Sequence, residues 1–79
     1  MDKLSKARLK KFGQRIAELR KERKQSLREL AAQSGIDHKK ISDIELAKRG
    51  LKLETLFKLA DGLGIHPREL LDFEMPTEK

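Results

Sequence analysis

Apolar residues recur along this chain at helical intervals, and each stripe is bounded by residues that start or stop helices. Leu9, Phe12, Ile16 and Leu19 lie three, four and three positions apart, one face of a 3.6-residue period. Lys, Arg, Gln and Glu stand between them and no proline interrupts, so the pattern predicts a helix within residues 3–24. The first eight residues either extend that helix or hang free as a basic arm. Glu18 and Glu22 have Arg15 and Lys21 close enough for weak surface pairing. Gly13 stands inside the stripe at a cost of up to about 1 kcal/mol against Ala, so a close packing contact is expected there.

Ser26-Leu27-Arg28-Glu29 has the form of a capping box, in which the Ser hydroxyl caps an exposed amide and the Glu reaches back. Leu30 and Ala31 supply the inward face of the helix that follows, and Gly35 stops it in a left-handed position. Asp37 is a good N-cap for another helix. The spacing therefore predicts two short helices, 27–34 and about 38–46, joined by a tight turn containing glycine. A basic loop follows, turning at Gly50. Leu53, Leu56, Leu59, Ala60 and Leu63 then form a second strong stripe, ended by the glycines at 62 and 64. His66-Pro67-Arg68-Glu69 opens a last short helix with proline at its first position, and Leu70, Leu71 and Phe73 form its apolar side. With no strand pattern, the expected fold is all-α: a compact domain of five helices. It is expected to occupy residues 12–73, between a basic extension (1–11) and a frayed tail (74–79) containing Pro76.

The second helix of the pair is two-faced. Ile41 and Ile44 must turn to the core, which leaves His38, Lys39, Ser42 and Asp43 on the opposite side and Lys40 lateral. A helix that opens on three donors suits a groove lined with acceptors and phosphates. Lys can donate to guanine O6 and N7, His to base acceptors, and Asp43 can only accept, as from a cytosine amino group.

Charge sharpens that picture. The chain carries 19 Lys and Arg against 13 Asp and Glu, a net +6, and its isoelectric point is about 9.8. Residues 1–28 hold 11 basic and 3 acidic side chains, or +8, whereas residues 29–79 hold 8 and 10, or −2. A basic half on a near-neutral body suggests one face meant for a polyanion. There is no cysteine, so neither disulfides nor a cysteine zinc site supplement the small core, and two distant histidines make no metal site. No apolar run approaches a bilayer span, and no apolar block follows the N-terminal lysines as in a signal peptide. A cytoplasmic protein without cofactor, metal or membrane association is expected. No nucleophile elbow, P-loop or paired His and Cys suggests an enzyme. Glu18 with Glu22, and Asp72 with Glu74, are best explained as surface carboxylates.

The stretches FGQRIAELRKERK, SLRELAAQSGIDHKKISDIE and LETLFKLADGLGIHPRELL resemble the lambda-repressor-like, Xre-type helix-turn-helix family over Phe12 to Phe73. The resemblance rests on Arg20, the Leu30-Ala31 pair, Gly35, Ile41 with Ile44-Glu45, and Leu59-Ala60 with Leu63-Gly64, in that order. It implies a sequence-specific regulator of transcription whose third helix reads base edges in duplex DNA through His38, Lys39, Ser42 and Asp43. Ser26, Arg28, Lys40, Lys48 and Arg49 match positions that touch the DNA backbone, and Arg20 and Glu45 match an ion pair of the scaffold. Four positions depart from the family's pattern. Leu27 replaces a phosphate-holding Gln, Ala47 a glycine and Leu51 a proline, and Asp43 is an unusual base-reading residue. The family also implies a homodimer with half-sites about 34 Å apart. Leu51 and Phe73 are the expected interface residues of the helix 4–5 region, while Leu63, Ile65 and Leu71 are expected in the core. The alternative is a protein-interaction module, antitoxin-like or an adaptor; the lack of a long toxin-binding extension weighs against it.

Overall fold

A computed structural model describes residues 2–78; Met1 and Lys79, the outermost residues of the two expected extensions, lie outside them. Helix α1 spans Lys3–Glu22, and the Asp2 carboxylate caps it by accepting from the Ser5 N–H at 2.7 Å. The N-terminal segment is therefore helical from Lys3 onward. Helices α2 (Leu27–Ser34), α3 (His38–Glu45) and α4 (Leu53–Leu63) follow, and a 3-10 helix, Pro67–Leu71, closes the fold. That last element is the short helix expected after His66, and it is of the 3-10 type. It has five residues, with proline at the start, so few i→i−4 bonds could form in any case.

The expected stripes form the core except at their first members: Leu53, at the start of α4, is 65% exposed, and Leu9 is only partly buried and lies outside the core cluster. Phe12, Ile16 and Leu19 of α1 meet Leu30 of α2, Ile41 and Ile44 of α3, Leu59, Ala60 and Leu63 of α4, and Leu70 of the 3-10 helix. Leu27 is partly buried against this core. Polar side chains of α1 and of the turn after it fasten the remaining elements. Arg23 donates to the Leu63 carbonyl at 2.7 Å and Gln25 to the Gly62 carbonyl at 3.2 Å, satisfying acceptors that the end of α4 leaves open. Arg15 donates to the Glu69 carbonyl at 2.9 Å, and its guanidinium stands 4.0 Å from Glu18. Residues 74–78 form no helix, but Arg8 holds them to α1 through the Pro76 carbonyl at 3.0 Å.

Three local expectations change. Gly62 does not end α4: it lies inside the helix, buried where α2 crosses, and a Cβ there would stand 2.7 Å from the Ser34 Cβ. Gly64 alone is the left-handed cap. The chain reverses after α3 at Ala47, whose φ of 58° is left-handed, and not at Gly50; the backbone bond from Lys48 N–H to the Asp43 carbonyl, 2.8 Å, forces that early turn. Leu71, expected in the core, is 48% exposed because Leu70 takes the single inward position the short helix offers. Leu63 is buried and Ile65 partly buried, as expected.

Candidate nucleic-acid interface

The unit that presents α3 is built from local signals. The Ser26 hydroxyl accepts from the Glu29 N–H at 3.0 Å, and the Glu29 carboxylate accepts from the Ser26 N–H at 2.8 Å. That hydrogen bond from Ser26 holds the Glu29 carboxyl below its ordinary range. Gly35, with φ of 76°, ends α2 by donating to the Ala31 carbonyl at 2.9 Å. Only a residue without a Cβ takes that conformation freely. Ile36 plugs the turn into the core, its N–H donating to the buried Ser34 hydroxyl at 3.2 Å. Asp37 then caps α3 by accepting from the Lys39 N–H at 3.0 Å.

Two contacts lock α3 against α1. Arg20 forms a fork on Glu45, with Nε donating to Oε2 at 2.7 Å and Nη2 to Oε1 at 3.1 Å. The side chains are only 12% and 9% exposed. The hydrogen bond to Glu45 raises the Arg20 pKa further above its ordinary value, outweighing burial. The third guanidinium nitrogen donates to the Gln25 carbonyl at 2.9 Å. One side chain thus fixes α1, the entry to α2 and the end of α3 together. At Gly13 the two backbones meet: a Cβ there would lie 2.5 Å from both the Ile44 and Glu45 carbonyl oxygens. The close packing expected at this glycine is its approach to α3.

With Ile41 and Ile44 buried, α3 turns an unobstructed face outward. Lys39 is its most exposed member at 79% and stands 4.0 Å from the Asp43 carboxylate, one helical turn on. His38 and Ser42 are partly exposed on the same side, and Lys40 sits at its edge, also partly buried. Ser26 and Arg28 are exposed at the start of α2, and Lys48 and Arg49 in the loop after α3. Ser26 has committed its oxygen and its N–H to the capping box, so the hydroxyl proton is what it can offer an acceptor. Leu46, seven residues after Lys39 and 62% exposed, belongs to this face too. Its place could have been found by extending the Lys39–Ser42 spacing one more turn. Among the described residues no cluster of His, Cys, Asp or Glu could hold a metal, and no helix is long and apolar enough to cross a membrane.

An apolar groove of about 370 Å³ opens on another part of the surface. Leu51, Leu53, Leu71, Phe73 and Met75 line it beside Leu9 of α1. It brings together the two residues expected at an interface, Leu51 and Phe73, with exposed Leu53, which the helical stripe had turned inward, and Met75, which no stripe singled out.

A family model described as helix-turn-helix matches residues 16–70. The control protein C.BamHI of Bacillus amyloliquefaciens is 35% identical over 63 residues, covering 78% of this chain and 78% of its own. The HTH-type transcriptional repressor RghR of Bacillus subtilis is 43% identical over 58 residues, which is 72% of this chain but 43% of the repressor. The crystal structure of the restriction-modification controller protein C.AhdI from Aeromonas hydrophila aligns with a TM-score of 0.79 at 44% identity, covering 81% of this chain and 97% of that one.

Proposed function

Because the chain belongs to the lambda-repressor-like, Xre-type helix-turn-helix family of DNA-binding transcriptional regulators, we propose that it binds specific duplex sites as a homodimer, with α3 in the major groove. The observation that carries this reading is the rigid seating of α3. Its inner face, its end and the turn before it are all fastened, while Lys39 faces solvent and is held only by its loose pair with Asp43.

Each side chain then has a role its chemistry allows. His38, Lys39, Ser42 and Asp43 meet base edges. Lys39 donates to guanine O6 and N7, and Asp43 accepts from a cytosine amino group once Lys39 has turned to the DNA. In the free protein the same pair holds Lys39 loosely in place, at the 4.0 Å separation of an exposed i, i+4 pair. Ser26, Arg28, Lys40, Lys48 and Arg49 hold phosphates and set the register. The reading requires a second copy seated on the Leu51–Phe73 groove, so that two recognition helices meet successive turns of one face of the duplex.

Selection of bound sites from random duplexes tests the proposal, with two variants to separate the roles. Lys39→Ala should relax discrimination at particular base pairs. Lys48→Ala should weaken all sequences alike and flatten the salt dependence by about one unit of log–log slope per protomer. Recovery of no preferred site by the wild-type protein, or equal binding by both variants and wild type, would sink the proposal.

A further inference from the structure

Helix α1 carries a stripe whose two halves do different things. Gly13 and Arg20, seven residues apart, face α3: the first meets the carbonyls at its end and the second pairs with Glu45. Continuing that stripe toward the N-terminus at helical spacing gives Lys10 and then Lys6, three and seven residues before Gly13. By that point α3 has ended and the chain has entered the α3–α4 loop. The loop leaves Glu45 at the level of Gly13, and Leu51 to Leu53 arrive beside Arg8 and Leu9, which share the wall of the apolar groove. It therefore travels alongside the N-terminal half of α1, with Lys48 and Arg49 on it. Lys6, Lys10, Lys48 and Arg49 are all exposed, and among the described residues none of them has a carboxylate within ion-pair distance. Like charges gathered without counter-charges repel one another, and a row of phosphates relieves that repulsion.

We infer that Lys6 and Lys10 are DNA-backbone ligands that extend the phosphate track of the α3–α4 loop along α1, beyond the stretch of chain that the family match covers. The helix makes this a built surface. Asp2 caps α1 and Arg8 is tied to Pro76, so both lysines project from a fixed rod. The track adds affinity without base discrimination, because phosphates are the same at every step. The inference rests on the reading that α3 enters the groove, since that is what brings the loop and α1 to the backbone.

Salt titrations of binding to the selected duplex and to a scrambled duplex of equal length test it, using wild type, the Lys6→Gln/Lys10→Gln double variant and Lys58→Gln. Lys58 pairs with Glu54 on the outer face of α4 and serves as the control for net charge. Gln keeps helix propensity at both α1 positions, so circular dichroism should be unchanged. The double variant should show a log–log salt slope shallower by about 1.8 per protomer, or about 3.6 for a dimer on two half-sites, from about 0.9 per phosphate. Per protomer, its affinity should fall about tenfold less than that of wild type between 50 and 200 mM salt. The change should be equal on both duplexes and absent in Lys58→Gln. An unchanged slope in a folded double variant overturns the inference, as does a change of half that size in Lys58→Gln, which removes one charge where the double variant removes two. If wild type binds selectively and Lys39→Ala relaxes that selectivity while the double variant keeps its slope, only this inference fails. If wild type shows no salt-dependent duplex binding, the reading of α3 fails with it.

Discussion

Gly13→Ala sets two effects of opposite sign against each other. Gly13 lies in the middle of α1, where replacing Gly by Ala should stabilise an isolated helix by about 1 kcal/mol. The added methyl would stand 2.5 Å from two backbone carbonyl oxygens, those of Ile44 and Glu45. Neither oxygen belongs to a side chain that can swing aside, and the Ile44 carbonyl already accepts from the Ala47 N–H at 3.1 Å. Helix α1 must retreat from α3, and overpacking of that kind costs about 3 kcal/mol at the upper end of its usual range. Retreat also stretches the Arg20–Glu45 fork, which starts at 2.7 and 3.1 Å. The net expectation is a loss of about 2 kcal/mol, or a drop in Tm of about 8–16 °C for a domain of this size. Thermal melts followed by circular dichroism measure it directly. A variant that melts at or above the wild-type temperature would refute the close approach of α1 and α3, because helix propensity alone would then be acting.

Arg20→Ala should cost about 3 kcal/mol by stranding Glu45 in a mostly buried position; denaturant titration checks this, and an unchanged midpoint would mean the fork is dispensable. Ala47→Gly should stabilise by up to about 1 kcal/mol, since the left-handed backbone there strains a side chain; a lower Tm would contradict that strain. Ser26→Ala should cost about 1 kcal/mol through loss of the cap. Glu29 has its carboxyl lowered below the ordinary 4.5 by the Ser26 hydrogen bond, so its contribution is complete above that pH and disappears as acid takes the folded group through its lower pKa. Glu29→Gln should flatten the acid limb of a stability-versus-pH curve, and an unaltered limb would exclude the box as its source. Leu71→Lys, at a half-exposed position on the apolar groove, should weaken self-association with little loss of Tm. Sedimentation equilibrium reads this, and an unchanged dissociation constant would move the interface elsewhere.

What could be read from the chain alone was whatever short-range physics decides. The Ser26–Glu29 box, the Gly35 stop and the Asp37 cap act within four residues, so their type and spacing announce α2 and α3 and the turn between them. The inward stripes of α1 and α4 followed from periodicity, and the outward side of α3 from the burial of Ile41 and Ile44. Positions whose role depends on a distant neighbour were not legible in this way. Gly62 has the look of a helix stop until α2 crosses it, and Leu71 the look of core until Leu70 claims the inward place. Gly50 offered a turn that the chain had already made at Ala47, drawn there by the bond to Asp43. Leu46 and the groove around Phe73 likewise emerged only when separate elements were brought together. Sequence by itself determined which segments are helices, which sides face inward and that one end of the molecule is basic. Tertiary structure decided how closely α1 meets α3 and which apolar residues share the groove beside Phe73, because both depend on contacts between residues tens of positions apart, which no local pattern encodes.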